Sequence, residues 1–245
     1  MRLNRYLAAC GLGSRRGCEQ LITSGRVRVN GQPAHLALQV APSDRVSVDG
    51  EEVRRQDGGV WMLHKPRGAI STVRDPQGRR TVLDVARAHG LSPRLFPIGR
   101  LDRDTTGLLL LSDDGALAFK LTHPSWGIEK EYEARVARVL TPAELERLRT
   151  GIELEDGPSA PCAVTQEADA TGALLRLVLH EGRKRQIRRM LQALGVPLLH
   201  LHRSRVGPLR LGNLAAGELR ALDDAERGAL LAVLDEPKPS AEPSA

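Results

Sequence analysis

The sequence is poor in aromatic residues. It holds six, Tyr6, Trp61, Phe96, Phe119, Trp126 and Tyr132, which is 2% of 245 positions. A core must therefore be assembled from Leu, Val, Ile and Ala, and each aromatic needs its own explanation. Cysteine is scarce too. Cys10, Cys18 and Cys162 show no CxxC spacing, so neither a disulfide framework nor a zinc site is expected. A small odd number of cysteines fits a reducing cytosol. Leu7-Ala8-Ala9-Cys10 has the look of a lipoprotein cleavage site, but the stretch before it is short and carries Arg2, Asn4 and Arg5, so it does not read as a signal peptide. Apolar runs such as Leu108–Leu111 fall far short of the roughly 18–20 residues of a membrane span. P-loop, HExxH and GxSxG patterns are missing. With 41% hydrophobic residues, the chain is too apolar for disorder throughout and long enough for one large domain or two smaller ones.

The charge is one-sided in kind as well as sign. Lys and Arg number 36 against 30 acidic residues, a net charge of +6, and 31 of the 36 are Arg. The planar guanidinium fork suits phosphates and base edges. A nucleic-acid partner fits this balance, although a coding bias toward Arg gives the same composition.

The first fifty-odd residues read as a separate module. Leu3, Leu7 and Cys10 recur at helical spacing, and Gly11 ends that helix. Ser14 is placed to cap a second helix carrying Cys18, Leu21 and Ile22, which Gly25 closes. Val27 and Val29 alternate with Arg26 and Arg28 as in a half-buried strand. Asn30-Gly31 and Asp49-Gly50 are turn signals, the second following Val46 and Val48. Taken singly, Arg residues on such a unit are ordinary solvated surface. Together, Arg2-Leu3-Asn4-Arg5-Tyr6-Leu7, Ser14-Arg15-Arg16 and Gly25 to Gly31 resemble the S4 RNA-binding module. Gly17 departs from it as a poor helix former inside the second helix. The resemblance implies RNA contacts from Arg2, Arg5, Ser14, Arg15, Arg16, Arg26 and Arg28.

Residues 53–59 look like a linker, and the Pro/Ser/Ala-rich segment 236–245 is expected to be a disordered tail. Between them strands and helices mix irregularly. Strands are expected at Val60 to Leu63, Leu108 to Leu111, Glu131 to Val136 and around Leu175, Leu177 and Leu179. Helices are expected from Ser112-Asp113-Asp114-Gly115 to about Leu121, after Thr141-Pro142, from about Lys184, and over Asp223 to Leu234. This order argues α+β rather than repeated βαβ units. The expected division is residues 1–52, the linker, residues 60–235 and the tail.

Three segments could carry chemistry. Gly99-Arg100-Leu101-Asp102-Arg103-Asp104-Thr105-Thr106-Gly107 is a polar, acid-bearing loop running into a fully apolar strand. Asp102 and Asp104 are a carboxylate pair, but two residues apart they are ill placed to flank a sugar bond from opposite sides. An Asp in such a loop is ordinarily a turn former. In Glu181 to Met190, a helix would put Ile187, Leu191 and Leu194 on one apolar face. Arg185 and Arg189 would point away, with Lys184 and Arg188 on the flank. A half-buried flanking Arg needs a carboxylate, and Asp102 is a candidate. In Lys130-Glu131-Tyr132, the tyrosine is ordinarily core with its hydroxyl at the surface. His200 and His202 share a strand face and read as surface or RNA-facing residues, not metal ligands.

Together these segments resemble the RsuA family of pseudouridine synthases, the S4-bearing branch that acts on bacterial ribosomal RNA. The likeness is densest over residues 99–115 and continues through Lys130-Glu131-Tyr132 and Glu181 to Met190. His64-Lys65-Pro66 stands where the family often has Asn-Lys-Pro. The resemblance implies a mixed or antiparallel sheet in an α+β catalytic domain behind a small α/β S4-like domain. It implies Asp102 as the catalytic aspartate, Tyr132 as the base-stacking residue and Arg188 as the basic partner of Asp102. Arg100, Ile187, Lys184 and Arg185 would contact substrate. The implied reaction isomerises a uridine of ribosomal RNA without cofactor or metal. It breaks C1′–N1 and joins C1′ to C5. The segment 151–158 gives a lean toward large-subunit RNA. A cytoplasmic monomer acting on free ribosomal RNA or a pre-ribosomal particle is expected. Two other readings share these features: a non-catalytic RNA-binding or ribosome-assembly factor, and a nucleoside or glycoside hydrolase using Asp102 and Asp104.

Overall fold

A computed structural model describes residues 1–54, 59–91 and 94–235. Most of the expected linker (residues 55–58) and the whole expected tail lie outside them. The chain divides into two compact units, Met1–Gly59 with Asp113–Gly115, and Val60–Ser112 with Ala116–Ala245.

In the first unit, α1 (Leu3–Ala9) and α2 (Arg15–Thr23) pack beside a four-stranded antiparallel sheet. Its strands are β1 (Val27–Val29), β2 (Gln32–Pro33), β3 (Val46–Val48) and β4 (Glu51–Glu52). Ser14 caps α2 by accepting from the Gly17 N–H at 3.1 Å. The core is aliphatic, built on Leu3, Leu7, Cys18, Ile22 and the strand valines. Asn30 and Asp49, each followed by Gly, take φ of 51° and 52°, as two-residue hairpin turns require.

The second unit contains, in chain order, β5 (Val60–Lys65), α3 (Val82–Ala88), β6 (Phe96–Ile98), β7 (Thr105–Ser112) and α4 (Gly115–Thr122). There follow β8 (Lys130–Val136), α5 (Pro142–Thr150), β9 (Ala163–Asp169), β10 (Gly172–Leu179) and α6 (Gln186–Ala193). The unit ends with β11 (Leu198–Val206), β12 (Leu209–Arg210), β13 (Leu219–Ala221) and α7 (Asp224–Asp235). One mixed sheet runs β13-β5-β7-β11-β8-β10-β9, with β6 beside β7 and β12 beside β11. The β7–β11 junction is parallel and the other pairings are antiparallel. This is the mixed α+β architecture that the sequence implied.

Strand β7 holds the second unit together. All eight of its residues are buried. Leu108 and Leu110 face one apolar cluster, Leu109 and Leu111 another. An uninterrupted run of leucines is what a strand covered on both faces needs, each burial stabilising by about 1.5–3 kcal/mol. None of the six aromatics is fully buried, so the core is aliphatic, as their scarcity demands. Helices α3 and α5 start from full capping boxes, Thr81 with Asp84 and Thr141 with Glu144.

The sheet also buries histidines. Thr106 Oγ1 lies 3.0 Å from His200 Nε2 and 2.9 Å from His202 Nδ1, and the His64 ring meets His202 edge-on with centroids 5.2 Å apart. His200 and His202 are therefore half-buried seam residues between β7 and β11, not a free surface pair. A strand face that a neighbouring threonine satisfies looks the same in sequence as an exposed one. Burial, and then the neighbouring His64 and His200, pull His202 down to about 4. Neutral His202 is thus favoured on folding. Between pH 4 and 6.5 the unfolded chain binds more protons, so stability rises with pH across that window. Thermal melts should show Tm falling from about pH 6.5 toward 4.5, before most carboxylates titrate. His202→Gln should flatten that slope; an unchanged slope would assign it to other groups.

Candidate active site

The acid-bearing loop is pinned from below. Ser71 Oγ donates to the Leu101 carbonyl at 2.9 Å and accepts from its N–H at 3.1 Å. The Gly68 N–H donates to the Arg103 carbonyl at 2.7 Å. Lys65, at the end of β5, is fully buried, and its ammonium reaches the carbonyls of Thr105 (2.8 Å), Arg103 (3.2 Å) and Pro66 (3.2 Å). Three donors meet three acceptors, which offsets part of the cost of burying the charge. Burial still pulls Lys65 down to about 8, opposed by the nearby charges of Asp104 and Asp102. Sequence reasoning passed over Lys65 as a chemical group, because a lysine at a strand end reads as surface.

Over this floor Asp102 sits one-third exposed, with Arg188 above it. Arg188 Nε is 3.3 Å from Asp102 Oδ2, while Nη2 lies 3.2 Å from Thr105 Oγ1 and 3.3 Å from Asp104 Oδ2. Arg185 Nη1 is 3.7 Å from Asp102. The two carboxylates therefore share one guanidinium. That is the opposite of the opposed placement a glycosidase pair needs.

Helix α6 begins at Gln186, later than the expected start near Lys184. Arg185 precedes it at φ 52°, a left-handed conformation costing roughly 1–2 kcal/mol for a non-glycine residue. Lys184 is exposed and takes no part in lining the cleft, whereas Arg100, Asp102, Tyr132, Arg185, Ile187 and Arg188 all line it. Arg189 does not point to solvent as its spacing suggested. Its Nη1 is 2.6 Å from Asp156, which also pairs with Arg183, and these two arginines hold the Asp156 carboxyl well below the usual range. The 151–158 segment is thereby tied to the start of α6.

Tyr132 is half-buried on β8 and forms one wall of the cleft. Behind it lies Arg203 of β11, a second cation that sequence reasoning missed. In the first unit, Arg2, Arg15, Arg16 and Arg28 are exposed, Arg5 is half-buried, and Arg26 is engaged with Asp49. Among the described residues no cluster of His, Cys, Asp and Glu is arranged to hold a metal ion, and no helix is long and apolar enough to cross a membrane.

Known proteins similar to this chain place these features in context. A family model for RNA pseudouridylate synthases matches residues 59–193, and one for the S4 domain matches residues 1–46. The ribosomal large subunit pseudouridine synthase B of Bacillus subtilis is 39% identical over 241 residues, covering 97% of this chain and 98% of that protein. Its namesake in Pseudomonas aeruginosa is 39% identical over 92% of this chain and 60% of that one. A crystal structure of a pseudouridylate synthase superposes with a TM-score of 0.66 at 30% identity, covering 94% of this chain and 99% of the other.

Proposed function

The chain belongs to the RNA pseudouridylate synthase family and carries an S4 domain, and on that premise we propose that it isomerises a uridine of large-subunit ribosomal RNA. The observation that carries the reading is the cleft itself, where the Asp102 carboxylate meets the Arg188 guanidinium beside the Tyr132 ring. The names of the Bacillus and Pseudomonas relatives support the large subunit. Residues 1–52 would help capture RNA through Arg2, Arg5, Ser14, Arg15, Arg16, Arg26 and Arg28. Residues 60–235 would do the chemistry. We take the enzyme to be a cytoplasmic monomer that works on free ribosomal RNA or a pre-ribosomal particle, with no cofactor.

The uridine leaves its stack at a cost of a few kcal/mol, and Tyr132 offers a replacement face worth about 1–3 kcal/mol. The C1′–N1 bond then breaks and its electron pair leaves with the base. Asp102 compensates in one of two ways: it bonds C1′, or it takes the proton from C2′. The freed uracil turns and C5 bonds C1′, which displaces Asp102 from C1′ on the first route and returns the proton from Asp102 to C2′ on the second. The C5 proton is lost and N1 gains one, so the product is an isomer of the substrate. Arg188 orients Asp102, and Ile187, Arg100 and Arg185 bound the space for base and phosphate. Lys184, outside the cleft lining, would meet the RNA farther along its backbone.

Ribosomal RNA transcripts labelled with tritium at C5 of uridine test this reading. Release of tritium from 23S transcript is expected. Absence of release from both 23S and 16S transcripts would overturn the reading, and free uracil among the products would favour a hydrolase. Loss of a 23S mark in a strain lacking the gene would locate the target; loss of a 16S mark would overturn the subunit assignment. Tyr132→Ala should lower kcat/KM by about 10- to 100-fold, the worth of one stacking face. Tyr132→Phe should keep the stacking and hence most of the binding. Normal turnover by Tyr132→Ala would remove Tyr132 from the site.

A further inference from the structure

Arg203 sits where a cation is costly. The residue is 4% exposed. Its Nε donates to the Leu108 carbonyl at 2.8 Å and its Nη1 reaches the Tyr132 hydroxyl at 3.5 Å. Among the described residues no carboxylate lies within ion-pair distance of it. Such a group ordinarily needs a carboxylate partner, or marks a function that uses its charge. The guanidinium carbon is 5.9 Å from the Tyr132 ring centroid, over the ring. Tyr132 lines the cleft and Arg203 does not. The buried guanidinium, paired with Tyr132 across β11 and β8, thus lies against a ring that itself lines the cleft. Lys65 adds a second buried positive charge close by, and the two cations repel each other across the base of the site.

The isomerisation changes the charge on the base. Uridine enters neutral. When C1′–N1 breaks, the bond pair stays on N1 and spreads to the uracil carbonyl oxygens, while Asp102 either bonds C1′ or accepts the C2′ proton. When C5 joins C1′, Asp102 leaves C1′ or returns the proton to C2′, the C5 proton is lost and N1 gains one, and the base is neutral again. A fixed cation behind the stacking ring discriminates between these states, because it favours the anion and is indifferent to the neutral base.

We propose that Arg203 is a positioning residue acting through Tyr132. Its guanidinium holds the ring from behind and stabilises the uracil anion on the ring's other face. The inference rests on the isomerase reading given above. A unit charge about 8 Å from the anion, at an effective dielectric of about 20, is worth about 30-fold in rate, and about 10-fold once water screens part of it.

Tritium release from 23S transcript by the full chain separates the possibilities. The wild-type chain is assayed first, on 23S and 16S transcripts, and absence of release from both defeats the isomerase reading itself. Given release, Arg203→Gln should lower kcat by about 10- to 30-fold with KM within about twofold, because the charge matters after binding. Arg203→Lys, which keeps the charge, should restore kcat to within about threefold of wild type. Equal losses in the two variants would make Arg203 a packing residue only. A raised KM with unchanged kcat would also overturn the inference.

Should Arg203→Gln fail to fold, the wild-type chain provides the test. A 23S fragment carrying 6-azauridine at the mapped position presents a uridine isostere whose N3–H ionises near neutral pH. Its affinity, relative to the uridine fragment, should tighten about tenfold between about pH 5.5 and about pH 7.5 as the base becomes an anion. No relative change would overturn the inference.

Discussion

Asp102→Asn should reduce tritium release by at least about 10³-fold while leaving RNA affinity within about threefold of wild type. The substitution is nearly isosteric. The Asn carbonyl oxygen still accepts from Arg188, which keeps its contacts with Thr105 and Asp104, so the cleft should hold its shape. What is lost is the negative oxygen that, on the proposed reading, bonds C1′ or takes the C2′ proton, and an amide does neither. Asp104→Asn is the informative companion. Asp104 shares the same guanidinium but does not line the cleft, so its loss should cost far less. Retained activity in Asp102→Asn, or equal losses in the two variants, would move the chemistry away from Asp102.

Gly107→Ala should unfold the second unit or lower its Tm by roughly 10 °C or more. Gly107 ends the acid-bearing segment 99–107 and lies in β7 at φ 109°. It pairs with Arg203 across the parallel junction. A Cβ there would stand 2.2 Å from the Arg203 carbonyl oxygen, 2.5 Å from its nitrogen and 2.8 Å from its carbonyl carbon. All three are backbone atoms, so no side chain can swing aside. Relief requires parting β7 from β11, the seam between the two halves of the sheet. The cost is several kcal/mol, a large part of a typical total stability of about 5–15 kcal/mol. Gly228→Ala supplies the contrast. It lies inside α7 with open space around it, so alanine should stabilise by about 0.5–1 kcal/mol. A Gly107→Ala protein with wild-type Tm would mean that the junction yields more easily than its backbone contacts imply.

The parts of the molecule that were legible in sequence are those set by neighbours along the chain. The Asn30-Gly31 and Asp49-Gly50 turns, the Ser14 cap, the Thr141-Pro142 helix start and the leucine strand all depend on residues within one turn or one strand of each other. The signature over residues 99–115 was legible for the same reason, as a loop and the strand that carries it. Strands β6 and β9 were not foreseen. Their sequences are short or strongly charged, and only pairing with distant strands makes them strands.

Aromatic scarcity, read first as a limit on the core, also left the cleft with Tyr132 as its single aromatic wall. By itself the sequence determined an aliphatic α+β chain, an S4-like front module, and an acid-bearing loop on a rigid strand. Only the tertiary structure decided which groups meet. Arg188 reaches Asp102 across 86 residues, and Asp156 ties down the helix that carries Arg188. Lys65 and Arg203 disappear into the floor of the site, and three histidines gather around the β7–β11 seam. The physical reason is that charged and polar residues default to water in any local reading. Their burial becomes affordable only when carbonyls and hydroxyls from distant segments are brought to them by the fold.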